Sequence, residues 1–424
     1  MKSNVCPSTV FLMVLTLAII VFYVSAAIFY PNLYIYGTYE DLYGEWAQTY
    51  FFVATFIIAL LNALQKNHPY RWFFTLLAIA SFYVSMEEIS WGQRLIGFET
   101  PDYFQKHSYQ NEANIHNLLS GPVKVWTKTL LTYIVACGLV GYGIIFPLAV
   151  KAAFKPAIKL LKWGIHSPVL ALIPAFFAAA LLETEPFSFN EAEIAELLVA
   201  MALAYTALHY LPARTTNSSL AYPLTVLIIV STAVFITTQI LLNTPTQRNL
   251  IEQRLANGYN KFVDRYEGYG YTPGVVATLQ RYNQLKPNNT VVLRKIADNL
   301  EVLGRYNEAQ LFIQAAIQEG LRRYQQDPTD VQTNVSLAKS YRQAGDYGKM
   351  EWYSEQAYRL AKTKQEKNPN SAHWAFWLAK ACEQAHRQKE ALNYYRLAHK
   401  LEPRSSHYYD AYYQKKQLML DYED

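Results

Sequence analysis

Apolar and polar stretches alternate in the first half of the chain, and this pattern stops in the second half. Long apolar stretches dominate up to about residue 243, beyond which charged residues and helix formers take over. A helix that crosses a membrane needs roughly 20 mostly apolar residues. Seven stretches approach that length, at residues 8–30, 49–65, 72–90, 128–150, 168–182, 191–212 and 220–243. The sequence therefore predicts an all-α protein with a polytopic membrane domain of about seven spans.

The polar connections between these stretches differ in charge, which predicts a topology. Lys and Arg are found in the connections at 66–71, 151–167 and 213–219. The connections at 31–48 and 183–193 carry acidic residues and no Lys or Arg. Connections rich in Lys and Arg stay in the cytoplasm. We therefore expect a cytoplasmic N-terminus and a C-terminal half that is periplasmic or extracellular, and a cleaved signal peptide is the alternative for the first stretch.

The polar half contains an internal repeat. Pro287, Pro328 and Pro369 are spaced 41 residues apart, and two sets of alanines keep the same spacing. These sets are Ala297, Ala338 and Ala379, and Ala316, Ala357 and Ala398. A larger side chain at a helix–helix contact would push the two helices apart. The alanines therefore predict repeated pairs of closely packed helices.

This pattern resembles the tetratricopeptide repeat (TPR), which implies an α-solenoid of antiparallel helix pairs. The usual TPR period is about 34 residues, so a period of 41 contains one extra heptad, which we place late in the second helix of each pair. The resemblance implies that the array binds a protein or peptide partner. We divide the chain into a transmembrane domain over 1–243 with an outer-face helical loop at 92–125, a linker over 244–270, and a repeat domain over 271–424 that ends in a capping helix.

Aromatic residues of the repeat domain are candidates for binding that partner, namely Tyr353, Trp374, Trp377 and Tyr394. Packing between helices is the alternative, because aromatic residues at helical spacing usually face inward. Nucleic acid is not an expected partner, since the net charge is only +5 and no dense Lys/Arg cluster is present. The three cysteines lie far apart and form neither a disulfide framework nor a zinc-knuckle pattern.

Polar residues of the types that bind metals or transfer protons lie around the end of the third apolar stretch. The segment "MEEISWGQR" contains Glu87, Glu88 and Arg94, and the loop after it contains His107, Glu112 and His116. We expect short helices over 101–107 and 109–120, and the second would place Glu112 and His116 on one face, because residues four apart are neighbours on a helix. The predicted topology also brings Glu45 and Glu196 to this side of the membrane.

The spacing of these residues leaves several interpretations open. In one, Glu88, His107, Glu112, His116 and Glu196 bind a metal such as zinc or iron that activates water. In another, Glu88, Glu112 and His116 are catalytic as general acid and base without metal. In a third, the set is structural, with an ion pair between Glu87 and Arg94 and with amides that fasten the loop. A proton or transport pathway is a fourth possibility.

The wording "EEISWGQR…NEANIHN" also resembles a motif of uncharacterised bacterial multi-pass membrane proteins. It implies a bacterial inner-membrane setting and assigns no catalytic role. We therefore expect an integral membrane scaffold or assembly factor in the lipid bilayer, whose periplasmic array binds a protein partner in envelope biogenesis. The alternative is a membrane-embedded hydrolase or transferase with an outer-face Glu/His site and a substrate recruited by the array.

Overall fold

The structure is a computed structural model that describes residues 7–39, 41–65, 71–96, 98–107, 113–115, 125–211 and 220–420. Every regular element in these residues is helical. The chain separates into two compact units with a boundary between Arg265 and Tyr266. Each unit is described by itself below.

The first unit is a bundle of helices of unequal length. They are α1 (Pro7–Phe29), α2 (Pro31–Thr38), α3 (Tyr43–Leu64), α4 (Arg71–Glu88), α5 (Gln93–Ile96), α6 (Asp102–His107), α7 (Val125–Val140), α8 (Phe146–Lys151), α9 (Lys155–Lys162), α10 (Ile173–Leu182), α11 (Glu191–His209), α12 (Ala221–Asn243) and α13 (Pro245–Gly268). A π-helical turn over Gly141–Ile145 joins α7 to α8, and 3₁₀ turns occupy Ser90–Gly92 and Leu170–Leu172.

Five helical segments of the described residues are long and apolar enough to cross a membrane, where seven were predicted. They are Pro7–Phe29, Pro31–Leu64, Thr129–Lys151, Glu191–His209 and Ala221–Asn243. The other two predicted spans are helical but differ in kind. Helix α4 carries Arg71, Glu87 and Glu88 within its 18 residues, and Leu170–Leu182 is a shorter apolar helix.

Helix α3 is the centre of the first unit, because α4, α11 and α12 all pack against it. Its Asn62 side chain is buried and donates a hydrogen bond to the backbone carbonyl of Ala207 in α11, at 2.9 Å. The carbonyl of Ala207 belongs to the last turn of α11 and also accepts from the backbone N–H of Tyr210, which ends the helix. A polar side chain in α3 therefore fixes the position of α11.

Residues 244–270, which we interpreted as a linker, contain the continuous helix α13. Ile251, Leu255, Tyr259 and Phe262 are buried along one side of it, and the Phe262 ring lies 6.0 Å from the ring of Tyr34. These apolar residues recur at intervals of three and four, which is the spacing of one helix face. Most of α13 is thus part of the first unit.

The second unit consists of helix pairs that repeat every 41 residues. Its helices are α14 (Thr272–Leu285), α15 (Thr290–Val302), α16 (Tyr306–Gln326), α17 (Val331–Gln343), α18 (Tyr347–Lys367), α19 (Ala372–Gln384), α20 (Gln388–Leu401) and α21 (Ser406–Leu420). The first helix of each pair has 13 residues. The second has 21 residues in α16 and α18 but 14 in α20. The extra heptad therefore lies in the second helix, which confirms its predicted place.

The repeated positions show why each pair folds in the same way. All six repeated alanines are fully buried, so the paired helices are closely packed. Asn289, Asp330 and Ser371 precede the first helices at the same spacing, and each side chain accepts a hydrogen bond from the backbone in the first turn. Such caps satisfy N–H groups that the helix leaves unpaired. The second unit is thus a TPR-like array.

Candidate functional site

Three helices of the first unit bring carboxylates together. Glu45 lies in the first turn of α3, Glu88 ends α4, and Glu196 follows the first turn of α11. The buried Gln48 of α3 donates a hydrogen bond to Glu88 Oε2 at 2.9 Å and also reaches Glu196. Glu196 is within electrostatic range of both other carboxylates. Residues that we placed on one side of the bundle from topology alone therefore lie close together.

Two arginines compensate the charge at one edge of this cluster. Arg94 of α5 forms ion pairs with Glu45 and with Asp41, where the distance to Asp41 Oδ1 is 3.3 Å. Arg254 of α13 pairs with Asp41 from the other side, and the backbone N–H of Asp41 donates to Glu45. A buried carboxylate is stable when it is paired and hydrogen bonded. The four charged side chains therefore connect α3, α5 and α13.

Glu87 has a separate role in the turn after α4. The Trp91 indole N–H donates to Glu87 Oε1 at 2.6 Å. Ser90 and Trp91 both have left-handed backbone angles, with φ of 47° and 54°, and this conformation is costly for residues other than glycine. The bond to Glu87 helps to hold that turn. The predicted ion pair between Glu87 and Arg94 stays a prediction.

Amide side chains fasten the start of the following loop. Asn114 donates to the backbone carbonyl of Glu87 at 3.0 Å. Gln93 accepts from the N–H of Ala113 at 2.8 Å and donates to the hydroxyl of Thr100 at 2.8 Å. The predicted helix over 101–107 is present as α6. Hydrogen bonds from amide side chains that fasten the loop are what the structural interpretation predicts.

The predicted metal ligands are only partly covered by the structure. Glu112, His116 and the helix expected over 109–120 lie outside the described residues, as does the side chain of His107. Within the ranges that the structure does describe, no three His, Cys, Asp or Glu side chains are grouped to hold a metal ion. Zinc or iron binding and acid–base catalysis stay predictions. Sequence reasoning missed Gln48 and Arg254, and Arg254 gives no local signal because its partner Asp41 is 213 positions away.

The second unit contains a groove of about 680 Å³ along the first helices of its pairs. Ligand pockets in proteins commonly enclose about 300–1,000 Å³. The groove is lined by Val291, Arg294, Lys295, Asp298, Lys339, Arg342, Gln343, Glu383, Gln384, Gln388 and Lys415. Sequence reasoning missed this surface because it looked for aromatic residues. A usable signal was the 41-residue spacing of polar positions such as Gln343 and Gln384.

Basic side chains in this groove are crowded and partly desolvated. Burial lowers the pKa of Arg294 to about 10, although Asp298 opposes the shift. Burial also lowers the pKa of Lys339 to about 8, and repulsion from Lys380 and Arg294 adds to the effect. Arg294 donates to the hydroxyl groups of Ser336 and Ser340 at 2.8 Å and 3.3 Å, which are neutral acceptors. The groove therefore contains positive charge that is poorly compensated.

The acidic residues of the groove already have partners. Glu383 is close to Lys380 and Lys415, at 3.8 Å and 3.4 Å, and accepts from the Tyr395 hydroxyl at 2.8 Å. Asp298 accepts from the Gln343 amide at 2.7 Å. In the part of the array that the structure describes, neither Lys339 nor Arg342 makes an ion pair through its side chain.

The four predicted partner-binding aromatics lie in or against the packing between helices. Tyr353 is only 8% exposed, and its ring stacks on that of Tyr341 at 5.5 Å. Trp374, Trp377 and Tyr394 are partly buried and pack against a core cluster that includes Phe376. The groove is lined by other side chains. A role for these aromatics in partner binding stays a prediction.

No protein-family model and no curated protein matches this chain. Several solved structures are similar to it in part. MamA residues 41 to the end from Desulfovibrio magneticus RS-1 has 14% identity over 40% of this chain and 88% of its own, with a TM-score of 0.19. TTC0263, a thermophilic TPR protein of Thermus thermophilus, has 18% identity over 39% and 82%, with a TM-score of 0.25. The P58(IPK) TPR domain has 12% identity over 71% and 99%, with a TM-score of 0.19.

Similarities with TM-scores this low do not establish the fold. The repeat architecture is established by the geometry of the second unit, in which helix lengths, helix caps and buried alanines recur every 41 residues. The protein is therefore of an all-helical class that combines apolar helices with a TPR-like array.

Proposed function

We propose that the protein is an integral membrane scaffold, with its first unit in a lipid bilayer and with a repeat array that binds a protein partner. The observation that carries this proposal is the groove of about 680 Å³ along the first helices of the array. TPR-like arrays commonly present such surfaces to protein ligands. The groove is lined by side chains from several successive helices, so one extended segment can contact all of them.

The outward faces of the long helices in the first unit support the membrane part of the proposal. Leu17 of α1 is 61% exposed, Ile229 of α12 is 62% exposed, and Phe235 of α12 is also exposed. Large exposed apolar surfaces mark sites of contact with lipid or with another protein. Because these residues lie on helices long enough to cross a bilayer, lipid is the surrounding they fit best.

The charge bias of the connections supports the orientation that we propose for the protein in a bacterial inner membrane. The N-terminus would be cytoplasmic and the array periplasmic or extracellular, because Lys and Arg favour cytoplasmic connections. A periplasmic array tethered to the inner membrane would hold its partner at the membrane surface. Envelope biogenesis is the process that we propose for such an assembly factor.

Site-specific photocrosslinking tests partner binding. A photoreactive amino acid replaces Val291, which lines the groove and is 52% exposed, in protein expressed in its native membranes. A matched variant carries it at Leu311, which is 70% exposed on α16 and does not line the groove. We expect a discrete crosslinked species at Val291 that is absent at Leu311. Equal products at both positions, or none at Val291, would contradict the proposal.

A membrane enzyme is the second candidate, favoured by the convergence of Glu45, Glu88 and Glu196 in an apolar unit. Ionisable groups in such surroundings are costly and usually have a function. Its metal-dependent form is tested by metal analysis of the purified protein beside Glu112→Ala and His116→Ala. Stoichiometric zinc or iron that both variants lose would support a metal enzyme, whereas metal-free wild-type protein that retains its function would exclude it.

A further inference from the structure

Among the side chains that the structure describes, three basic groups in the groove of the array form no ion pair, and the two carboxylates within electrostatic range of them, Asp298 and Glu383, already have other partners. Arg294 lies on α15, and Lys339 and Arg342 lie on α17, so two successive first helices contribute. Arg294 hydrogen bonds only to neutral oxygen atoms among the contacts described for its guanidinium. Bringing like charges together in a partly desolvated place is unfavourable unless an anion joins them.

We propose that the groove binds an acidic segment of the partner protein and that Arg294, Lys339 and Arg342 hold its carboxylates. This inference rests on the proposed function and adds the chemistry of the partner to it. A guanidinium group presents several N–H donors in a plane that matches a carboxylate, and an ammonium group adds a point charge. A segment with at least two acidic residues would compensate most of this charge.

The neutral lining residues fit a peptide backbone between these charges. Gln384 and Gln388 line the groove beside the cationic residues. An amide side chain both donates and accepts hydrogen bonds, as a peptide group does. Val291 adds an apolar surface at the α15 side of the groove. The lining can therefore contact the backbone of a bound peptide as well as its acidic side chains.

The charge distribution favours an acidic peptide over a nucleic acid. Glu383 and Asp298 also line the groove. A peptide can place neutral residues beside these carboxylates, whereas a phosphate backbone carries a negative charge at every nucleotide and would be repelled where it passes them. Single-stranded nucleic acid is usually held by a continuous basic track with exposed aromatic rings for stacking. Within the described part of the array, the groove lining includes no aromatic side chain.

Fluorescence anisotropy with the full chain in detergent micelles tests this inference. The probes are a labelled eight-residue peptide of alternating Glu and Ser, the same peptide with Gln for Glu, and a labelled eight-nucleotide oligothymidylate. We expect the Glu peptide to bind at least tenfold more tightly than the Gln peptide. Lys339→Gln and Arg342→Gln should each weaken its binding about tenfold, the loss expected for one charge-assisted hydrogen bond.

Two matched variants separate charge from folding. Lys339→Arg retains the positive charge and should bind the Glu peptide within about threefold of wild type, a difference of under about 1 kcal/mol. Lys400→Gln removes a charge from an exposed position of α20 outside the groove and should leave binding unchanged. The inference is overturned if the Glu and Gln peptides bind equally, if Lys339→Gln binds as wild type does, or if the oligonucleotide binds more tightly than the Glu peptide.

Crosslinking from Val291 distinguishes failure of the acidic-segment inference from failure of the proposed function. In the double variant Lys339→Gln/Arg342→Gln, the crosslinked partner should be lost. A partner that crosslinks equally well in wild type and double variant would retain the scaffold function and exclude the acidic-segment inference. No partner at Val291 in wild type would contradict the proposed function itself.

Discussion

A single residue departs from the repeat at a turn where the backbone is strained. Gly304 and Gly345 follow the first helices of two pairs with φ of 72° and 75°, and His386 occupies the same place in the third pair with φ of 58°. The same pair of backbone hydrogen bonds closes each helix; in the third pair the N–H of Arg387 donates to the carbonyl of Cys382 at 2.8 Å. A left-handed backbone favours glycine, since other residues bring Cβ too close to a carbonyl oxygen.

We therefore predict that His386→Gly stabilises the last helix pair. The gain should be up to about 1 kcal/mol, because relief of left-handed strain exceeds the entropy that glycine adds to the unfolded chain. Hydrogen exchange of peptides from α19 and α20, measured by mass spectrometry, reports this local stability. His373→Gly is the control, since it adds glycine in the first turn of α19, where the backbone is right-handed, and should not stabilise the helix. Faster exchange in His386→Gly would contradict the prediction.

Lys339 connects the charge of the groove to the stability of the array. Its pKa in the folded chain is about 8, against 10.5 for the free side chain, because burial and then Lys380 and Arg294 disfavour the charged form. Below pH 8 the side chain is protonated in both folded and unfolded states, and the folded state bears the full cost of the buried charge. As the pH rises above 8 the folded state loses its proton first, so this cost decreases and vanishes above the unfolded pKa.

Lys339→Met should accordingly stabilise α17 at pH 7 and weaken binding of the Glu peptide. The stabilisation over wild type should shrink as the pH rises from 8 towards 10.5, the window set by the two pKa values. Hydrogen exchange of α17, corrected for the intrinsic effect of pH on exchange rates, provides the measurement. A pH-independent difference would show that the methionine acts only through packing. A gain in stability at the expense of binding is common at functional positions.

At the scale of helices, much of the fold could be predicted from local patterns. The apolar stretch at 220–243 corresponds to Ala221–Asn243, and the short helix predicted over 101–107 corresponds to Asp102–His107. The repeat register also followed from spacing alone. These features depend on residues close in sequence, whose periodicity records which face is buried.

Other features depend on contacts between distant residues and left no local pattern. Charged residues separate the apolar positions of α13 in the sequence, so the face that packs Phe262 near Tyr34 was not recognised. The ion pair between Arg254 and Asp41 and the hydrogen bond from Gln48 to Glu88 likewise need the helices in place. The carboxylate cluster was predicted only as a convergence from topology, and its arginine partners were not identified.

One helix contact depends on the absence of a side chain. Gly143, in the π-helical turn between α7 and α8, lies against α10, where a Cβ would come within 2.0 Å of Phe176 Cγ. We predict that Gly143→Ala destabilises the first unit by about 1–3 kcal/mol, the usual cost of overpacking. The midpoint of thermal unfolding in detergent, followed by tryptophan fluorescence, should fall. Gly141→Ala is a close control, because its added Cβ would meet no described atom within 4 Å apart from its chain neighbours and the backbone of its own helix. An equal fall in both variants would contradict the contact.

The whole molecule combines two units with different solvent requirements. Helices of the first unit expose large apolar side chains such as Phe177 and Phe235, whereas charged side chains line the groove of the second. A lipid environment lowers the free energy of the first surface, and water lowers that of the second. In the membrane scaffold that we propose, the side of the membrane that the array faces would determine which partners it can bind.

Cysteine accessibility in intact cells tests that side directly. In a chain with Cys6, Cys137 and Cys382 replaced by Ser, Leu311→Cys reports on the array and Lys159→Cys reports on the connection at 151–167. A sulfonated maleimide that cannot cross the inner membrane should label Leu311→Cys in intact cells and Lys159→Cys only after the cells are permeabilised. This order follows from the positive residues around Lys159, which favour the cytoplasm. The reverse order would place the array and the partner that we propose for it in the cytoplasm, and it would place the carboxylate cluster of α3, α4 and α11 at the inner face.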